Sequence, residues 1–432
     1  MQRGSASESR RSNRGGRQVG DLPAWLVAMA MLSAGVTESR AEWPQFRGPD
    51  GQGHALVKGL PLRWSETEGI AWKTPIAGVA WSSPVVSRDR VYLTTAKETE
   101  PAAGRSLCLV CLDARTGAVL WDKELFKQSA EVKIHKKNSH ASPTPVVSGE
   151  HVFVHFGTHG TACTTRDGDV VWKQTLEYAP QHGSGGSPAL AGDTLVICCD
   201  GADVQYVVGL DRGTGAIRWK TKRDTTPKKG FSFSTPLVIE VDGVTQAICP
   251  GSDAVFAYEP KTGDEIWRVD WPGGYSVVPR PVFGAGLVFM SSGYDKPVLY
   301  AIDPRGRGNV TATHVRWRMD RGAPNTPSVV VVGDEVYCVA DSGVATCLDA
   351  RTGTEHWKER LGGNFSSSPL HADGLVYFQN EAGEAIVVRA AKTFEEVARN
   401  RLGGEDRTFA SYAVDGQSLL IRTESALYRV GR

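Results

Sequence analysis

Tryptophan recurs along this chain at a near-constant interval, at Trp72, Trp121, Trp172, Trp219, Trp267, Trp317 and Trp357, with gaps of 49, 51, 47, 48, 50 and 40 residues. A repeat of that length is the mark of one supersecondary unit used many times, in a solenoid, a propeller or an array. It constrains the fold more tightly than any single motif. A length of 432 residues would otherwise suggest about three domains.

Each tryptophan closes a short unit. Three units read Leu112-Asp-Ala-Arg-Thr-Gly-Ala-Val-Leu-Trp121, Leu210-Asp-Arg-Gly-Thr-Gly-Ala-Ile-Arg-Trp219 and Leu348-Asp-Ala-Arg-Thr-Gly-Thr-Glu-His-Trp357, and Tyr258 to Trp267 carries Glu259 in place of the aspartate. The Thr-Gly pair punctuates two strands, because glycine supplies positive φ and the preceding polar side chains bond local backbone. Upstream lie runs such as Val329–Val332, Glu335–Ala340 and Val344–Leu348, rich in β-formers and separated by turns such as Gly333-Asp334. Each unit therefore predicts a four-stranded antiparallel sheet. Outside the N-terminus no segment shows sustained helical periodicity.

Eight first strands follow Ser83-Pro84, Thr144-Pro145, Ser187-Pro188, Thr235-Pro236, Arg280-Pro281, Thr326-Pro327, Ser368-Pro369 and Ala410-Ser411. The eighth unit stops after Leu427–Val430 without a tryptophan strand, while Gly69-Ile-Ala-Trp-Lys-Thr74 stands alone near the other end. The economical arrangement is an all-β, eight-bladed β-propeller of four-stranded antiparallel blades, its last blade closed by the N-terminal strand. Closure protects edges that an open array would expose. The tryptophans then pack between neighbouring sheets.

The Ala-x-Asp-x-x-Thr-Gly-x-x-x-Trp pattern over residues 69–432 resembles the pyrroloquinoline-quinone (PQQ) repeat of eight-bladed propellers. Two groups carry that repeat: quinoprotein dehydrogenases, and non-enzymatic propellers such as the lipoprotein of the outer-membrane protein-assembly machinery. Trp43-Pro-Gln-Phe-Arg-Gly48 is similar to the opening of secreted PQQ-repeat proteins. The resemblance is specific for architecture. It implies either a cofactor-free binding scaffold or a PQQ- and calcium-dependent oxidoreductase of the alcohol or sugar dehydrogenase kind.

Forty-nine basic and 48 acidic residues nearly cancel, which gives no footprint for nucleic acid. The one dense basic stretch, Arg3–Arg17, precedes the apolar run Leu22–Val36 and then Ser39-Arg40-Ala41. That order predicts a cleavable signal peptide over residues 1–41 and export to the periplasm or cell envelope. The apolar run is shorter than the roughly 20 residues of a membrane span, so no transmembrane segment is expected in the mature chain. Arg10-Arg11 hints at twin-arginine export but lacks the usual apolar residues after it. No cysteine near the cleavage site offers a lipid anchor. Residues 42–68, rich in Gly and Pro, predict an irregular strap running into the ring, and a monomer is expected.

Several constellations invite a chemical reading. Cys108 and Cys111 have metal-like spacing, but residues three apart on a strand face opposite ways. His151, His155 and His159 lie at helical metal spacing, yet four residues of strand span about 13 Å against a zinc–nitrogen bond of about 2 Å. Asp200 and Asp203 suit an Asx-turn better than calcium. Cys198-Cys199 matches the vicinal pair of quinoprotein dehydrogenases only in part, because it ends a regular strand. Neither a nucleophile elbow nor a phosphate-cradling loop is present. PQQ and calcium ligands find no obvious places.

Topology supplies the best candidate site. In a propeller the segments that lead into each blade converge around the axis. Here they carry Trp81, His140, His182, Phe233, Tyr275, Arg280, Asn325, Phe365 and Arg407. Aromatics with a few polar groups suit a partly apolar pocket. The expected function is an exported, non-catalytic propeller that captures an envelope protein, peptide or saccharide in this funnel, with no catalytic residues, metal or cofactor assigned.

Overall fold

The computed structural model describes residues 42–100 and 104–431; the expected signal peptide, with Arg10-Arg11 and Ser39-Arg40-Ala41, lies outside the described residues. The strands form eight antiparallel sheets arranged as a β-propeller. Blade 1 comprises Val85–Ser87, Arg90–Glu98, Arg105–Asp113 and Val119–Gln128, and later blades repeat that order. Blade 8 has three strands of its own, Ala413–Asp415, Ser418–Arg422 and Ala426–Val430; Ile70–Pro75 pairs antiparallel with the last of them and closes the ring. Among the described residues helix is confined to single turns at Gly157–His159 and Thr311–His314.

The repeated turn explains how one blade grips the next. The Asp113 carboxylate accepts from the Arg115 and Thr116 backbone N–H groups at 3.1 and 2.7 Å and from Thr116 Oγ1 at 2.7 Å. Asp211 and Asp349 build the same turn. These bonds hold the turn in a shape that needs positive φ at the glycine, +74° at Gly215. The glycine then lies under the tryptophan of the preceding blade: a Cβ on Gly215 would come within 2.5 Å of Trp172. The Trp172 indole N–H donates to Arg212 O, Trp317 to Ala350 O and Trp357 to Ala391 O, each time across a blade boundary, at 2.9, 2.9 and 3.0 Å.

Not every boundary follows the pattern: in blade 2 Asp167-Gly168 replaces Thr-Gly, and among the described residues the Trp121 indole N–H has no hydrogen-bond partner. Blade 5 replaces the Thr-Gly turn with a longer excursion through Thr311–His314, and Trp267 there donates to Gln246 Oε1, which lies in its own blade. Gln246 in turn donates to Pro304 O of blade 5. In blade 7, Ala398 takes the tryptophan position opposite Val387, and Trp64 from the N-terminal strap packs into the same buried cluster.

Glycine supplies positive φ at ordinary hairpin turns, such as Gly192 between the first two strands of blade 3, and at the repeated turn it also makes room for the tryptophan; the two roles separate experimentally. Gly192→Ala, at φ +59° with open space around the missing Cβ, should cost about 1 kcal/mol, the left-handed strain alone. Gly215→Ala adds the collision with Trp172 and should cost about 3 kcal/mol or more. Urea unfolding midpoints of the two variants check this difference.

Candidate functional site: a funnel floored by the N-terminal strap

The first strand of each blade lines the axis, and two residues before each of them the chain places a belt residue: Ser83, Thr144, Ser187, Thr235, Arg280, Ser328, Ser368 and Ser411. Seven are hydroxyl residues. Ser83 N–H donates to Thr144 Oγ1, Thr144 to Ser187, and Ser187 to Thr235, at 2.9, 2.8 and 2.9 Å. Arg280 N–H donates to Ser328 Oγ, Ser328 to Ser368, Ser368 to Ser411 and Ser411 back to Ser83, at 2.9–3.0 Å. The belt breaks only between Thr235 and Arg280, where the acceptor hydroxyl is missing. In blade 6 the belt residue is Ser328, so Thr326-Pro327 stands two residues further upstream than the same dipeptide elsewhere.

Arg280 turns away from the mouth. It is buried, with Nε donating to Pro236 O at 3.1 Å, Nη1 to Phe46 O at 2.5 Å and Nη2 to Gln45 Oε1 at 3.1 Å. It therefore anchors the strap. The strap also pairs Trp43 with Val86, gives Pro44 O to Val147 N–H, accepts Phe283 N–H on Gln52, and lays His54-Ala55 parallel to Leu370–Ala372. Residues 43–55 thus touch blades 1, 2, 5, 6 and 7 across one end of the channel, and the Phe46 side chain lines the cavity above.

That cavity holds about 720 Å³. Of the sequence-predicted residues, Trp81, His182, Phe233, Tyr275 and Asn325 line it. Phe365 is fully buried in the core between blades 6 and 7. His140 lies outside the lining, with Arg105, His159 and Glu131 as its charged neighbours. Arg407 stands at the rim, stacked over Trp81 and Phe409 at 5.4 and 5.5 Å and paired with Glu424 at 2.6 Å. One wall is an aromatic cluster in which Phe231 meets His182, Phe233 and Tyr275 at 5.2, 6.0 and 5.6 Å.

Residues 129–145, the longest inlet segment, cross the mouth. At one end His135 N–H and the Asn138 side chain donate to His182 O at 3.2 and 2.8 Å. At the other, Lys137 Nζ lies 2.8 Å from Glu381 and 4.0 Å from Asp341, in blades 7 and 6. Sequence reasoning missed these lysines and Phe46. The cluster of Lys133, Lys136 and Lys137 in an unusually long inlet was the available signal.

The histidine triplet is dispersed. His155 is buried against Thr161 Oγ1 at 2.8 Å and Tyr178 OH at 3.5 Å, whereas His159 sits in the helical turn and His151 at the start of its strand. Asp200 is held by Arg223 at 2.7 and 2.9 Å, and Asp203 accepts from Ala179 N–H and Val204 N–H. All eight cysteines are free, Cys198 and Cys199 among them.

A model of the family described as outer membrane protein assembly factor BamB matches residues 72–257 and 251–393. The chain belongs to that family. Among solved structures, BamB from Moraxella catarrhalis is similar at a TM-score of 0.55 and 12% identity, over 84% of this chain and 98% of that one. Quinohemoprotein alcohol dehydrogenase from Comamonas testosteroni is similar at 0.64 and 14%, over 91% and 81%. A europium-containing methanol dehydrogenase is similar at 0.63 and 11%, over 88% and 89%. Likeness at these identities shows the shared propeller and nothing finer. No curated protein sequence matches.

PQQ and its metal find a poor fit in this BamB-family funnel. Among the described residues no three His, Cys, Asp or Glu side chains are grouped as a metal ion requires. Among the described residues the one carboxylate lining the cavity, Asp341, already accepts from Asn325 N–H, Thr326 N–H and Thr326 Oγ1 at 2.7–3.1 Å. We derive no chemistry through that cofactor. Among the described residues no helix is long and apolar enough to cross a membrane.

Two measurements test this geometry. Burial pushes the His155 imidazole down to about 4. Its folded pKa lies below the unfolded value of about 6.5, so its contribution is complete above pH 6.5 and fades as pH falls toward 4, by up to about 3 kcal/mol. Unfolding midpoints across that window should fall less steeply in His155→Gln; a residual slope comes from His371, also held near 4 by burial. Glu381→Gln should make trypsin cut the Lys133–Lys137 segment several-fold faster. Wild type in high salt should do the same, because the ion pair is screened.

Proposed function

We propose that this protein is an exported, non-catalytic propeller that captures an envelope protein, peptide or saccharide partner in its funnel. One observation carries the reading: the strap makes the channel one-ended, so the propeller presents a single deep pocket with an aromatic wall and a basic segment over its mouth. Such a pocket binds through apolar contact and a few orienting polar groups. Among the described residues no hydroxyl lining it is hydrogen-bonded to a histidine, the pairing that activates a nucleophile. Family membership agrees with a scaffold role, and the predicted signal peptide with an envelope location. The fold shared with dehydrogenases leaves a PQQ- and calcium-dependent oxidoreductase as the alternative, which the single occupied carboxylate of the cavity does not favour.

A photo-crosslinker placed at Lys136, over the funnel, should trap an envelope component in cells. The same group at Val170, exposed on an outer strand, should trap none. Equal trapping at both positions would sink the funnel reading. A saturable, calcium-dependent rise in melting temperature with PQQ would instead favour the oxidoreductase, since a ligand that binds only the native state stabilises it.

A further inference from the structure

The seven hydroxyls of the belt have a second property. Each oxygen accepts one backbone N–H from its neighbouring blade. Among the described residues none of the seven donates its own proton to a protein acceptor. All seven line the cavity, and none is more than 7% exposed. A serine or threonine hydroxyl carries one donor, and a buried donor left unmade costs about 1–3 kcal/mol. The base of the funnel is therefore a ring of O–H donors without protein acceptors, free to bond whatever enters the cavity.

The buried charges beside the belt are guanidiniums; Asp341, which also lines the cavity, is only half-buried and already accepts three hydrogen bonds. Arg280 occupies the eighth belt position. Arg47 donates to Val329 O, beside Ser328, at 2.6 Å, and Arg422 donates to Ser82 O and Oγ, beside Ser83, at 3.0 and 2.5 Å. All three guanidiniums are buried, and among the described residues none has a carboxylate within ion-pair distance. Arg47 Nε and Nη1 and Arg422 Nε have no hydrogen-bond partner there. Burial pushes Arg47 and Arg422 down to about 9 and Arg280 to about 10, and Asp50 acts on Arg47 and Arg280 only at longer range. Of the three other buried arginines, Arg223 has Asp200 and Arg429 has Asp415, whereas Arg166 donates to Ser87 and Gly149. A buried cation without a counter-charge is strongly disfavoured. None of Arg47, Arg280 and Arg422 lines the cavity, so they act on the belt from behind it; with the hydroxyl donors they favour an anion there and disfavour a metal ion or an ammonium group.

We propose that the belt is a carboxylate site, entered end-on by a small acid whose ring rests against Phe231 and Phe233. The site deepens the capture reading and rests on it. A carboxylate accepts about four hydrogen bonds through two oxygens, and neighbouring belt hydroxyls, linked by N–H···O bonds of 2.8–3.0 Å, are the donors it would meet. Phe46 closes the far end, so the acid group leads and the body of the ligand follows up the aromatic wall. A sugar acid and an aromatic acid share this chemistry.

Isothermal titration of the full chain tests the site with matched acid and amide pairs: galacturonate against galacturonamide, and phenylacetate against phenylacetamide. At least one acid should bind ten-fold or more tightly than its amide, and the pair that does so identifies the source. The double variant Ser187→Ala with Ser368→Ala should bring that ratio close to one. Phe233→Ala should weaken acid and amide alike and leave the ratio unchanged. A purely structural belt would lower both affinities together, so the ratio separates recognition from folding. A wild-type ratio near one, or no binding of either acid, overturns the carboxylate site whether or not the variants fold. Trapping at Lys136 would survive that result, so the capture reading fails separately.

Discussion

The contact between the tryptophan of one blade and the Thr-Gly turn of the next holds this ring together. A four-stranded sheet with two apolar faces has no stability alone, and each blade must bury both faces against neighbours. The indole covers the turn glycine and bonds a carbonyl beyond the blade boundary, while aspartate and threonine fix the turn from within. One interaction thus sets both the spacing and the angle between blades. Where it fails, something else takes its place. Gln246 bridges to Pro304 at blade 5, and Trp64 of the strap fills the cluster around Ala398.

The ring leaves a channel along its axis, and the strap decides what that channel is. A through-going hole would be a short, wet passage. With residues 43–55 laid across one end and Phe46 turned inward, it becomes a blind pocket. The substitution that permits this is Arg280. At seven positions a hydroxyl completes the belt; at the eighth a guanidinium gives up that link and reaches the strap backbone instead. Local disorder of the repeat pattern here marks the place where symmetry was traded for a floor.

How much of this was legible depends on the range of the interaction. The Trp spacing, the Asp-x-x-Thr-Gly turn and the orphan strand at Ile70–Pro75 are patterns in the chain itself, and they led directly to eight blades and their closure. Strand bounds such as Val330–Val332 and Glu335–Val339 fall within a residue of expectation. The funnel was legible only by topology. Trp81, His182, Phe233, Tyr275 and Asn325 follow from their place before a first strand. Arg280 and Phe365 share that place but face elsewhere, because a side chain next to a turn can point to the axis, the core or the strap. The lysine cluster around Lys137 was visible in the chain, but its meeting with Glu381 across the mouth was not, and Phe46, which enters from the far end of the chain, left no local mark.

The sequence by itself determined the repeat, the blade and the way the ring closes, since each rests on hydrogen bonds and packing between residues near in the chain or related by the repeat. Only the tertiary structure decided that the channel is blind, that a basic segment crosses its mouth, and that seven hydroxyls meet at its base. Those features arise where segments hundreds of residues apart converge on one axis, and a linear pattern carries no record of which side chains will face it.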